Sequence, residues 1–214
     1  MYMFIMIIIL VICGLIYYKF WLPNQSNVSK YKIPILTDET VFDENYINIQ
    51  SLEALVSTRD TLYIPKLGYG LTLVWDMYIP ALGGNDKWKH NFNTLKPIIA
   101  IKDSPIISYH PKKNYLSITL KYRNNPFYAQ FAEIKFTDMK LQRWSKYIII
   151  IENRNVKLFI DNILVATKIL PSIPVIYDIK SDIVLGELNN NFQGKIRNVA
   201  LYPYPFTFDD ISLA

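Results

Sequence analysis

The 214-residue chain contains one cysteine, Cys13, two histidines, His90 and His110, and only seven glycines. Each scarcity removes a class of function. Cys13 lies in an uncharged N-terminal run, so the rest of the chain has neither a disulfide nor a thiol nucleophile. His90 and His110 fall in polar stretches without a second ligand at metal-binding spacing. With so few glycines there is no phosphate-cradling loop, and no Gly-x-Ser-x-Gly elbow occurs. Glycoside hydrolysis needs two carboxylates flanking a cleft. The nearest string runs from Glu133 to Asp138, whose acids lie on opposite faces of any strand and read as solvated charge. The expectation is a protein that is not an enzyme and has no cofactor. Cations are also dispersed. The formal charge is +5, yet Lys112-Lys113, Lys121, Arg123, Lys140, Arg143 and Lys146 form no basic run, so nucleic acid is not an expected partner.

What the sequence does have begins at its N-terminus. Met1–Tyr18 carries no charged side chain, and Ile5–Ile12 is almost wholly aliphatic. Extended to Leu22, this run makes a helix of roughly 33 Å at about 1.5 Å per residue, enough to cross a bilayer core of about 30 Å. Tyr17, Tyr18 and Trp21 then form an aromatic belt beside Lys19, and Pro23 ends the helix. A cleaved signal would show a basic leader and a small-x-small site, and neither occurs. The expected organisation is a transmembrane anchor over 1–22, a linker over 23–34 and one domain over 35–214. Lys19, Lys30 and Lys32 follow the helix and place the domain on the cytosolic side of a single-pass membrane protein. The sequons Asn24-Gln25-Ser26 and Asn27-Val28-Ser29 argue for the opposite side.

Beyond the linker the pattern is that of strands. Val41-Phe42 and Tyr46–Ile49 open the series. Gly70–Ile79 is a central strand, followed by Pro97–Ile101, Ile106–Tyr109, Tyr115–Tyr122 and Tyr128–Phe136. Tyr147–Ile151 is an apolar run suited to burial on both faces. Asn-rich residues at 152–155 form a turn, and Val156, Leu158 and Ile160 alternate with Lys157, Phe159 and Asp161. Asp161-Asn162 makes a second turn into Ile163–Ala166. Connections this short require antiparallel pairing, so the three strands form a meander. No window outside the anchor has a helical period. The expected fold class is all-β, an antiparallel two-sheet jelly-roll sandwich, preceded by one transmembrane helix.

This stretch resembles the laminin G-like branch of the concanavalin A-like lectin/glucanase superfamily. The matching residues are Trp144, Val156–Asp161, Leu185-Gly186, Phe192, Gly194, Ile196, Leu201-Tyr202 and a closing Phe208–Ile211. The resemblance implies a buried Trp144 and a positive φ at Asn162, where the family usually has glycine. It also implies a calcium rim to which Asp86, Asp103 and Asp161 would contribute, although their spacing selects none of them. The glucanase string Glu-x-Asp-x-x-Glu is missing. Ile, Asn, Lys and Tyr are abundant, as in translation of an AT-rich genome, and small anchored sandwiches of this kind resemble membrane-associated proteins of large DNA viruses.

Two segments combine aromatics with amides, the mixture a sugar site uses. One is the Ala81–Lys96 loop with Asn85, Asp86, Trp88 and His90. The other is the turn at Asn124, Phe127 and Tyr128. The functional expectation is a non-catalytic, membrane-anchored structural protein of a virion, a minor capsid or internal-membrane tether, its domain facing the capsid. Its partners would be the bilayer, through 1–22, and other structural proteins. The alternative is a carbohydrate-binding, lectin-like module displayed on a membrane surface, with a glycan as partner.

Overall fold

A computed structural model describes residues 32–41, 47–49, 70–81, 92–125, 128–175, 182–187, 190 and 192–214. The anchor at 1–22 lies outside these, as does all of the 23–34 linker before Lys32. No helix among the described residues is long and apolar enough to cross a membrane.

The described strands are β1 (Ile33–Leu36), β2 (Thr40–Val41), β3 (Ile47–Ile49), β4 (Gly70–Tyr78), β5 (Lys96–Ile101), β6 (Ile106–His110), β7 (Tyr115–Asn125), β8 (Tyr128–Thr137), β9 (Trp144–Glu152), β10 (Asn155–Ile160), β11 (Ile163–Ile169), β12 (Ile183–Leu185) and β13 (Lys195–Tyr202); a short helix, α1 (Phe208–Leu213), follows. They form two antiparallel sheets. One runs β1-β13-β4-β9-β10-β11, with β2 also on β13, and the other runs β3-β12-β5-β6-β7-β8. The β9–β11 meander is present as the turns require. Asp161 and Asn162 both have positive φ (52° and 64°), the backbone of a two-residue hairpin turn that follows strand twist.

Alternate residues of each sheet fill the space between them. Leu71, Leu73, Trp75 and Met77 of β4 meet Tyr147, Ile149 and Ile151 of β9, with Ile107, Tyr109, Leu116 and Ile118 of the second sheet completing the same buried cluster. The Phe192-x-Gly194 motif has a steric reason. Phe192 is fully buried against Tyr109, and a Cβ on residue 194 would strike the Phe192 ring.

The apolar run of β9 is buried on both faces as its composition suggests, and so is that of β4, because the C-terminal segment covers the outside of the first sheet. Val74, Ile148, Ile150, Phe159, Ala200 and Tyr202 pack there with Phe206 and Ile211. The Thr72 hydroxyl donates to the Tyr204 carbonyl and accepts from the Phe206 N–H, both at 2.9 Å, which ties this cover to β4. The closing residues at 208–211 are helical, contrary to the reading that found no helix beyond the anchor. Thr207 and Asp210 cap each other's backbone N–H, and this reciprocal box starts a helix too short to show a period.

Three further expectations change. Trp144 is half-buried on the outer face, its ring 5.9 Å from that of Tyr78 and under the Arg197 guanidinium at 4.3 Å; among the described residues the fully buried tryptophan is Trp75. His110 ends β6 and is buried against Tyr115, not placed in a polar loop. β11 continues past Ala166 to Ile169.

Candidate functional site

Of the residues singled out as ligand contacts, Asn85, Asp86, Trp88, His90 and Phe127 lie outside the described residues. Asn124 and Tyr128 belong to the β7–β8 hairpin tip. There Arg123 pairs with Ala129 and Asn125 with Tyr128, which leaves Asn124 as the extra residue of a bulge. The stem of the Ala81–Lys96 loop enters β5 at Lys96, opposite Tyr109 at the far end of the sheet from that tip. β7 spans the interval with 11 residues, so the stem and the tip are roughly 30 Å apart and do not converge on one site.

The stem itself is anchored by a polar cluster that the sequence did not disclose. The buried Lys96 Nζ donates to Asn190 Oδ1 at 2.6 Å. The Asn190 amide donates in turn to the Leu95 carbonyl (3.1 Å) and to Glu187 Oε2 (2.6 Å). Burial lowers the Lys96 pKa, and the Glu187 carboxylate works against that shift. The lysine lies more than ninety positions from the amide and the acid, so no local signal joins it to them.

The two described members of the calcium set have cationic partners. Asp103 pairs with Lys121. Asp161 accepts from Lys140 Nζ (2.9 Å), Arg143 Nη2 (2.5 Å) and the Lys146 N–H (3.0 Å). Partial burial would raise the Asp161 pKa, but these donors hold it below the usual carboxylate value. Among the described residues no group of three His, Cys, Asp or Glu is placed to hold a metal. Glu133 likewise serves a local network, accepting from Ser117 Oγ at 2.8 Å and pairing with Lys135 at 3.0 Å. Burial pushes its pKa up, and these partners together bring it below the usual value. His110 is moved down by burial first and then by Lys113, Lys135 and Lys112, which favours its neutral form.

The open side of the sandwich is a different surface. β8 ends one sheet and β11 the other, and a groove of about 590 Å³ lies between them. Its walls include Tyr122, Ala132, Ile134, Lys168, Leu170 and Pro171. On β11 Ile163 is 66% exposed, Leu164 51%, Val165 47% and Ile169 70%. Among the described residues no strand pairs with this edge, and an exposed apolar run such as Ile163–Val165 on an edge strand is a ready template for another chain. Sequence reading placed a strand here and missed its exposure, since Ile-Leu-Val-Ala has the composition of a buried one.

No family model matches the chain, and no curated protein matches its sequence. Solved structures do resemble it in shape. The binding domain of botulinum neurotoxin serotype G aligns with a TM-score of 0.59 at 13% identity, over 82% of this chain and 41% of that one. The binding domain of botulinum neurotoxin DC, solved in complex with rat synaptotagmin II, gives 0.58 at 15% over 87% and 51%. The binding domain of Paraclostridial Mosquitocidal Protein 1 gives 0.57 at 14% over 82% and 42%. The chain therefore spans about half of these domains or less, and at such identities the likeness is one of fold: it is a two-sheet β-sandwich similar to part of several toxin binding domains.

Proposed function

We propose that this chain is a non-catalytic binding module that engages its partner by surface contact along the open side of the sandwich. The observation that carries the reading is the exposed apolar strip of β11 beside the groove shared with β8. Residues 1–22 hold the module at a bilayer in this reading, which the uncharged run Met1–Tyr18 supports. A membrane-to-shell tether in a virion, built on a laminin G-like sandwich, is the setting that the sequence resemblance favours.

A second reading keeps the Ala81–Lys96 loop as a glycan contact through Asn85, Asp86, Trp88 and His90, with Asn124, Phe127 and Tyr128 as a separate candidate. It is favoured by one neighbour of similar shape, a structure titled for the dependence of botulinum neurotoxin type C cell entry on two ganglioside molecules.

The test uses the full chain in detergent with a photo-crosslinking residue at position 165 or at position 88. Crosslinks to a protein partner from position 165 alone support the edge reading. Crosslinks to glycan from position 88 transfer the function to the loop. Turnover of any member of a glucan panel overturns the non-catalytic assignment.

A further inference from the structure

We propose that β11 accepts an extended, acid-bearing strand of a partner protein, added antiparallel to the sheet. This deepens the binding-module reading and rests on it. Main-chain pairing at an edge supplies affinity without a pocket, and side chains at the edge set the preference.

The charges around β11 define the partner. Every described carboxylate near the open side is already engaged: Glu133 by Ser117 and Lys135, Glu152 by Lys157, Asp103 by Lys121, and Asp161 by Lys140 and Arg143. Two cations at the far end of β11 have no acid among the described residues. Lys168 lines the groove, and Arg154 donates its Nε–H to the Leu170 carbonyl at 2.8 Å. The near end is apolar, with Ile163, Leu164 and Val165 exposed. The incoming strand therefore needs carboxylates opposite Lys168 and Arg154 and β-branched residues opposite Ile163–Val165. In antiparallel pairing the acids come first in its sequence.

A second copy fits less well. Twofold pairing about Ala166 sets Ile163 against Ile169, which is favourable, but sets Lys168 against Leu164 and brings two further uncompensated cations into one sheet. The bulge where β11 slips against β10, between Leu158 and Phe159, bends the edge and shortens the straight segment left for pairing. A short strand suits it better than an extended stack.

The probes are fluorescent peptides matching the seven residues of β11. One has two glutamates in its first half and Val, Thr and Ile in its second. The control carries lysines in place of the glutamates. Binding to the full chain in detergent micelles is read by anisotropy, and self-association by sedimentation. The acidic probe is expected to bind at least about tenfold more tightly than the control. Lys168→Glu should reverse that order, and Val165→Pro should abolish binding of both. Equal binding of the two probes, an order unchanged in Lys168→Glu, or no saturation by either probe overturns the proposal. A dimer lost in Val165→Pro, with no preference for the acidic probe, assigns the edge to a second copy and also overturns it. In those cases the binding-module reading stands on the crosslinking result; glucan turnover would remove that parent reading instead.

Discussion

β8 and β11 border the same open side of the sandwich, yet they meet solvent differently. β8 places Glu133 and Lys135 on its exposed positions. They pair with each other, and Lys135 also lies over the Tyr115 ring at 5.4 Å. Phe131, an exposed large apolar residue of β8, has the Lys121 ammonium over its ring at 5.9 Å. β11 has one charge, Lys168, among seven residues, and its apolar side chains face water without such cover. Charges on an edge discourage pairing with foreign strands. One edge is therefore guarded and the other left receptive, and the proposed binding surface rests on that difference.

The contrast concerns the edges and not the interior behind them. Leu158→Ala, behind β11, and Ile134→Ala, behind β8, should each destabilise the domain by about 2–5 kcal/mol in urea unfolding, because both side chains are buried in the shared core. Leu164→Ala, on the exposed strip, should change stability by less than about 0.5 kcal/mol. A Leu164 effect as large as that of Leu158 would mean the strip is packed, and the comparison would collapse.

The guard on β8 should also titrate. The folded-state pKa of Glu133 is depressed, so its contribution is complete above the ordinary glutamate value of about 4.3 and is lost as pH falls through the lower folded value. Glu133→Gln should cost about 0.5–1 kcal/mol at pH 7, and the gap to the parent chain should close toward pH 3. A pH-independent gap would show that the effect is steric. Exchanging the guards is expected to leave stability within about 0.5 kcal/mol while changing solubility. Val165→Lys should suppress turbidity on refolding, and Glu133→Val with Lys135→Val should raise it. The smallest effect belongs to the turn before β11. Asn162 has a φ of 64°, so Asn162→Gly should be neutral or stabilise by a few tenths of a kcal/mol in thermal unfolding.

Much of the sandwich was legible because strands and turns write local signals. Alternation in Val156–Ile160, the Asn-rich turn before it and the Asp161-Asn162 pair are each sufficient to place a hairpin, and the observed register joins Val156 to Ile151 and Ile160 to Tyr147. The capping box Thr207–Asp210 was also there to be read, but α1 has six residues and cannot show a helical period. The site was less legible. Lys96 reads as a surface lysine until Asn190 is folded onto it.

By itself the sequence determined where most of the strands begin and turn, and that consecutive strands of the meander run antiparallel. These follow from short-range sterics and hydrogen-bonding period, which a few neighbouring residues specify. Tertiary structure decided what covers the apolar residues and which of them stay uncovered. Ile148 and Ile150 of β9 are buried because the C-terminal segment lies across them, Trp144 is half-exposed because it falls beyond that cover, and Ile163 and Ile169 face water because β11 is the last strand of its sheet. Burial is set by what packs against a residue, and that depends on sheet order, which no local run of sequence contains.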